Sequence, residues 1–210
     1  LKVDGTALSN IERIEVLEGA ASRVLGTQAF SGAINIVTRQ VGPTLYARAA
    51  GGSYGTAKGE VRGLFRHQFT NGNLFTSSLS AGYQRSDGAV RNGDFKGGKA
   101  FWQGSLDAAQ YKVDAQAGYT NTDFGANTFY SIASTDQWES TTRYLASIKA
   151  ETKGKIHIAP QISWLRNYDH FQFFRNTPTY ENFNRGDVLT TGLNLWTAWS
   201  LGRTAIGGEV

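Results

Sequence analysis

The chain has few residues that could do catalytic chemistry, and their spacing suits none of the common reactions. Its three histidines, His67, His157 and His170, are far apart in the sequence, and cysteine is absent. Metal sites need several such ligands at short, regular spacings. Residues 19–26 have the length of a phosphate-binding loop but lack the lysine and the serine or threonine that complete one. We therefore expect a protein that is not an enzyme.

Aromatic side chains are concentrated in two stretches that we expect to be long loops, residues 122–141 and 167–187. Aromatic residues kept on an exposed loop usually contact a ligand or partner, because large apolar surfaces are costly to leave in water. Alternatively, the loops pack on one another or on the N-terminal residues. The predicted ligand contacts are Phe124, Asn127, Phe129, Tyr130, Trp138, Tyr168, Phe171 and Phe173, together with Arg91 from the preceding loop.

Nine segments from residue 45 onward alternate apolar with polar side chains, a pattern typical of half-buried β-strands. Val113, Ala115 and Ala117, for example, share one face, whereas Lys112 and Asp114 share the other. A charged side chain facing lipid would cost about 2 to 4 kcal/mol, so in a membrane barrel the charged face lines the interior. A soluble β-sandwich would give the same alternation. The predicted strands are 45–52, 57–69, 74–85, 100–109, 111–121, 142–151, 155–166, 188–201 and 203 onward.

The connections between these segments are alternately short and long. The short ones lie near residues 70–73, 110, 152–154 and 202, and the long ones at 86–99, 122–141 and 167–187. Outer-membrane barrels alternate in this way because their periplasmic turns are short and their extracellular loops are long, whereas nothing in a soluble sandwich requires it. The pattern favours an all-β antiparallel membrane barrel. Near the strand ends, Tyr83, Tyr119, Trp164 and Trp199 would form its aromatic girdle.

Composition and charge exclude several other classes of protein. The net charge is +4 with both signs interspersed, so the chain has no basic stripe and nucleic acid is not an expected partner. No apolar run approaches the ~18 residues that a spanning helix needs. The last residues look like the middle of a strand, so we expect the chain to be a fragment of a longer protein.

The most specific stretch of sequence is residues 11–39, which read IERIEVLEGAASRVLGTQAFSGAINIVTR. Its pattern predicts a strand, one or two helical turns over residues 20–25 that end at Gly26, and a second strand over residues 33–38. The residue order resembles the end of the plug domain of TonB-dependent outer-membrane receptors. The resemblance implies the C-terminal part of a small α/β plug domain in residues 1–42. Residues 43–210 would then supply roughly nine strands of a barrel of about 22 strands.

The resemblance also implies a function. Receptors of this family lie in the bacterial outer membrane, in contact with its lipid, and take up large, scarce nutrients with the help of a TonB-type energy-transducing protein. A surface lipoprotein is a further partner to consider. Four plug residues, Arg13, Glu15, Glu18 and Arg39, would bind the barrel wall through charge-assisted hydrogen bonds. A non-transport β-rich module is the alternative from a different class.

Three further runs are similar to the cobalamin-receptor branch of this family, namely GANTFY at 125–130, WESTTRYLASIK at 138–149 and ISWLRNYDHF at 162–171. They imply cobalamin or another corrinoid as the ligand, and a calcium site for which Asp87 and Asp94 are the candidate ligands. The neighbouring residues Arg91, Lys96 and Lys99 give this loop a net positive charge, which argues against a strong calcium site. A ferric siderophore is the alternative ligand, and glycan import is less favoured.

Overall fold

The computed structural model describes residues 11–18, 32–38, 42 and 44–210. The first two strands in this part of the chain are β1 (Ile11–Glu18) and β2 (Gly32–Thr38). They form a two-stranded antiparallel sheet in which Ile14 lies opposite Ile36. The structure thus confirms both predicted N-terminal strands, whereas the helical turns predicted over residues 20–25 lie outside the described residues. The domain boundary predicted after residue 42 stays a prediction.

A second sheet contains the other nine strands, all antiparallel, and each strand pairs with the next one along the chain. This count agrees with the nine predicted segments, and the arrangement matches part of a β-barrel. The strands are β3 (Leu45–Gly52), β4 (Thr56–Gln68), β5 (Leu74–Ser86), β6 (Phe95–Asp107), β7 (Tyr111–Gly125), β8 (Trp138–Thr152), β9 (Ile156–Gln172), β10 (Glu181–Trp199) and β11 (Gly202–Glu209).

The two faces of the nine-stranded sheet differ in burial. Arg62, Ser80 and Phe101 lie opposite one another on adjacent strands, and each is at most 3% exposed. On the other face Leu79 is 58% exposed and Ile148 is 47% exposed. A sheet that curls toward one side covers its concave face in this way, as the right-handed twist of strands favours. We call the face with Arg62 the inner face and the face with Leu79 the outer face.

The two ends of the sheet differ in their connections. One end, the turn end, has connections of two to five residues at 69–73, 108–110, 153–155 and 200–201. The other, the loop end, has connections at 53–55, 87–94, 126–137 and 173–180. The predicted alternation is therefore confirmed, but the loops are shorter than predicted, because β7 and β9 continue to Gly125 and Gln172. Their backbones go on pairing after the alternation of apolar side chains has stopped.

Helical structure contributes little to the described part of the chain. It holds no α-helix, and its one 3₁₀ turn is Pro178–Tyr180 in the last long loop. In the same residues, no helix is long and apolar enough to cross a membrane.

Candidate ligand site at the loop end

Four of the predicted ligand contacts form an aromatic cluster at the loop end of the inner face. Phe124 ends β7, Phe171 lies near the end of β9, and Glu139 of β8 pairs with both of them. The 126–137 loop folds back over this row. The ring centroid of Tyr130 lies 5.4 Å from that of Phe171 and 4.8 Å from that of Phe129, and Phe129 lies 6.4 Å from Phe124. We call Phe124, Phe129, Tyr130 and Phe171 the aromatic cluster.

Glu139 holds Tyr130 of the cluster in place, because its carboxylate accepts a hydrogen bond from the hydroxyl of Tyr130. Burial and this carboxylate raise the pKa of Tyr130 to about 12, so its hydroxyl stays protonated near neutral pH. The upper surface of the cluster is open, with Phe129 70% exposed and Tyr130 53% exposed. Edge-to-face aromatic rings of this kind present a rigid, mostly apolar surface with a polar tip.

The loop that carries the exposed residue Arg91 is joined to the loop of the aromatic cluster. The side chain of Asn127 donates to the backbone oxygen of Arg91 at 2.6 Å, which joins the 87–94 loop to the loop that carries Phe129 and Tyr130. In the part of the chain that the structure describes, no residue is seen to bind the guanidinium of Arg91, which is exposed. The predicted residues Arg91 and Asn127 are therefore at the same site as the cluster.

Three other predicted contacts lie elsewhere. Trp138 and Tyr168 are on the outer face, because strand residues one position apart point to opposite sides. Trp138 packs edge-on against His170 at 5.3 Å, and Tyr168 lies 5.7 Å from the guanidinium carbon of Arg185. Phe173 packs against its neighbour Phe174 in the last long loop, at 5.0 Å. The predicted set is thus divided between two faces of the sheet and a loop.

A group that sequence reasoning missed ties the three long loops together. Both terminal nitrogens of Arg175 bind the carboxylate of Asp94, at 2.5 and 2.9 Å, and Nη1 also donates to the side-chain oxygen of Asn92 at 2.9 Å. The hydrogen bonds from Arg175 lower the pKa of Asp94. We call Asn92, Asp94 and Arg175 the loop lock. Nothing in the sequence pattern indicates these contacts, because the partners are more than 80 residues apart.

Asn92 extends the loop lock to the loop of the aromatic cluster. Its side-chain nitrogen donates to the backbone oxygens of Gln137 at 2.6 Å and Thr135 at 3.1 Å. The close approach requires glycine at position 125, where a Cβ atom would lie 2.4 Å from the backbone oxygen of Asn92. The cluster is therefore held by a network that spans the loops after β5, β7 and β9.

The two calcium candidates each bind an arginine. Asp94 is bound by Arg175, and the Oδ1 atom of Asp87 accepts from Nη2 of Arg85 at 2.7 Å. Among the described residues, no group of three or more His, Cys, Asp or Glu side chains could hold a metal ion. Calcium needs six to eight oxygen ligands, so binding here would require Asp94 to exchange Arg175 for the cation.

The predicted contacts between the plug and the wall are described only in part. The Nε atom of Arg13 donates to Glu15 at 2.7 Å, and its Nη1 atom to Glu12 at 3.4 Å, so these bonds lie within β1. The side chain of Glu18 and all of Arg39 lie outside the described residues. Contacts of the four residues with the barrel wall stay a prediction.

The inner face of the wall carries a group of cations that sequence reasoning did not single out. Arg48 lies opposite Glu60, and Lys99 is close enough to interact electrostatically with Glu60 and with Lys58. Arg62 is 2% exposed, and its Nε and Nη1 atoms have no hydrogen-bond partner among the described residues. The sequence pattern could have indicated this group, because Lys58, Glu60 and Arg62 alternate with small or apolar residues along β4.

This chain resembles a solved receptor structure, whereas no protein-family model and no curated protein matches it. That structure is the ferric-catecholate import receptor Fiu from E. coli K12, in its open form. The two structures superpose with a TM-score of 0.68 at 14% sequence identity, over 95% of this chain and 39% of that receptor. At this identity the likeness shows the fold alone. The chain spans about two-fifths of the length of the receptor that it matches.

Proposed function

We propose that this chain is the plug end and first part of the barrel of a TonB-dependent receptor that imports a ferric siderophore across the bacterial outer membrane. The observation that carries the proposal is the aromatic cluster. It lies on the inner face at the loop end of the sheet, and Asn127 joins its loop to the backbone of the exposed residue Arg91. The fold around it is that of part of a ferric-catecholate import receptor.

The outer face supports a membrane location. Leu79, Phe65 and Ile162 are between 43% and 58% exposed on it, although a folded soluble domain would normally bury such a surface. Facing lipid, the same side chains are in their preferred solvent. Tyr119, one of the residues predicted for the girdle, packs on this face against Tyr144, with ring centroids 5.2 Å apart.

The charges of the inner face favour a siderophore over cobalamin. Ferric catecholate complexes are anionic, and their catechol rings suit an aromatic contact surface. Four cations, Arg48, Lys58, Arg62 and Lys99, lie on the same face as Glu60 in this part of the wall. Their excess of positive charge attracts anions. The cobalamin assignment rested on short sequence runs and has no support from the structural likeness. We therefore rank the siderophore first, ahead of corrinoids and glycans.

In the proposed mechanism, the two ends of the sheet have different roles. The aromatic cluster and Arg91 capture the ligand at the extracellular loop end, and the inner-face cations draw it inward. A TonB-type partner then pulls on the plug to open a path, with Arg13, Glu15, Glu18 and Arg39 exchanging their charged partners in steps. Calcium is not part of this mechanism, because Asp87 and Asp94 each bind an arginine.

The test is a binding measurement on the full-length receptor in cells that lack other siderophore receptors. We expect saturable binding of a radioiron-labelled ferric tris-catecholate and none of radiolabelled cyanocobalamin. Truncating Tyr130 or Phe171 to alanine removes about 1 to 2 kcal/mol of contact, so each variant should bind roughly 10-fold more weakly. Trp138→Ala is the matched control, because this aromatic residue lies on the outer face and should leave the affinity unchanged.

Two results would overturn the proposal. Saturable binding of cyanocobalamin without binding of the ferric catecholate would restore the corrinoid assignment. Equal losses of affinity in Tyr130→Ala and Trp138→Ala would show that the aromatic cluster is not the ligand site.

A further inference from the structure

The inner face has a second distinctive region, in its turn-end half. A row of cross-strand partners runs from β5 to β10 and contains only hydroxyl and carboxamide side chains. Its members, in order, are Ser78, Gln103, Gln116, Ser147, Ser163 and Thr190. We call this row the polar belt. Six neutral hydrogen-bonding side chains in an unbroken row across six strands are not needed to hold the sheet together, since the backbone does that.

The polar belt lines a cavity. The cavity has a volume of about 660 Å³ and is bounded on one side by the belt and on the other by Ile36, Val37 and Thr38 of β2. This volume lies within the range of roughly 300 to 1,000 Å³ that is usual for small-molecule sites. The cavity lies between β2 and the wall, along the turn-end half of the inner face.

The rows on either side of the polar belt differ from it. One row toward the loop end, the inner face is apolar from β6 to β9, where Phe101 and Leu145 both pair with Gly118, and Leu165 pairs with Leu145. On β5 and β4 the same row continues with Ser80 and Arg62. One row toward the turn end, Asp114 lies opposite Lys149, and both line the same cavity. A solute that moves from the loop end to the turn end thus meets an apolar row, then hydroxyls and amides, then charges.

We propose that the polar belt is a relay site, at which an oxygen-rich solute replaces its bound water with protein hydrogen bonds as it passes between β2 and the wall. Neutral hydroxyls and carboxamides suit this task, because passage needs contacts strong enough to admit a solute and weak enough to release it. The charged side chains that line the cavity are of both signs, Lys112, Asp114, Lys149 and Glu209, so its charge excludes neither anions nor cations. The inference rests on the proposed function for the identity of the solute, an anionic iron chelate.

The experiment separates binding at the loop end from passage through the belt. In the full-length receptor, Ser147→Trp fills the cavity, whereas Ala146→Trp puts the same side chain on the outer face. We expect the Ser147→Trp receptor to bind the radioiron catecholate at the cell surface normally but to import it at least 10-fold more slowly. The Ala146→Trp receptor should bind and import it normally.

A second variant avoids the risk that tryptophan disturbs folding. The chain contains no cysteine, so Ser147→Cys introduces a thiol that is unique within it. A thiosulfonate that transfers a small methylthio group to the thiol, with loss of a sulfinate, should leave uptake intact. One that transfers a bulky group should stop uptake, and a reductant should restore it by cleaving the mixed disulfide. Equal uptake after complete modification with either reagent would overturn the relay site, as would a thiol that fails to react during uptake. Failure of the unmodified receptor to bind the catecholate would instead count against the proposed function.

Discussion

Arg175 and Asp94 form a two-point ion pair that joins loops 81 residues apart in the sequence. The arginine lies between β9 and β10 and the aspartate just before β6, so the pair spans four strands at the loop end. Asn92 accepts a further hydrogen bond from the same guanidinium. This arrangement makes the loops one structural unit, and the aromatic cluster depends on that unit for its position.

The first prediction concerns the coupling between Arg175 and Asp94. Each side chain is only 29% to 36% exposed, so we expect a coupling of about 1 to 2 kcal/mol, above the usual value for surface pairs. A double-mutant cycle with Arg175→Gln and Asp94→Asn, read from amide hydrogen exchange in residues 87–94 and 126–137, measures it. The exposed pair Arg85 and Asp87 is the control and should couple by less than about 0.5 kcal/mol. Equal couplings for the two pairs would contradict the loop lock.

The second prediction concerns the effect of low pH on the order of the loops. Because Arg175 lowers the pKa of Asp94 below its ordinary value of 3.8, the ion pair stabilises the loops at every pH above that value. Its contribution is lost as the pH falls through the lowered pKa in the folded protein. Protection of the 126–137 amides, measured as the exchange rate relative to the intrinsic rate at each pH, should therefore hold down to a pH of about 4 and then fall. Asp94→Asn should abolish this acid transition. A transition centred near pH 6 would indicate a histidine instead.

The third prediction concerns Tyr130, whose pKa is raised to about 12 by burial and by Glu139. A difference spectrum between the native receptor and the Tyr130→Phe variant should show a phenol that ionises near this pH. The raised pKa means that the contact is intact below the ordinary tyrosine pKa of 10.0 and is lost as the pH rises through about 12. Glu139→Gln should lower the pKa of this phenol. An unchanged titration in Glu139→Gln would show that the carboxylate does not act on Tyr130.

The fourth prediction concerns Gly125. A Cβ atom there would meet the backbone oxygen of Asn92 at 2.4 Å, so Gly125→Ala should force the two loops apart and cost about 1 to 3 kcal/mol. Faster hydrogen exchange in both loops and weaker ligand binding are the expected results. Gly63→Ala is the control, since a Cβ atom there would have no neighbour within 4 Å. If both variants exchange like the native protein, the close approach has no role in holding the loops.

The sequence by itself determined the strand series of the nine-stranded sheet. Alternation along the strands separates the apolar residues, such as Leu79 and Ile148, from the polar ones, because a strand has two faces and a period of two. Turn residues such as Asn71 and Gly72, where φ reaches 83°, place the short connections. The alternation of short and long connections then showed which ends of the strands lie together. These are local properties, readable from neighbouring residues.

Only the tertiary structure decided which side chains meet at the site. Phe124 and Phe171 lie on one face and Trp138 on the other, a difference that depends on strand register and on where each strand ends. The sequence placed these residues in loops, whereas the structure places all three within strands. Arg175 and Asp94 meet because four strands bring their loops together, and no local pattern encodes a contact across such a distance. The loop lock, like the polar belt, is therefore a product of curvature and register rather than of any motif in the chain.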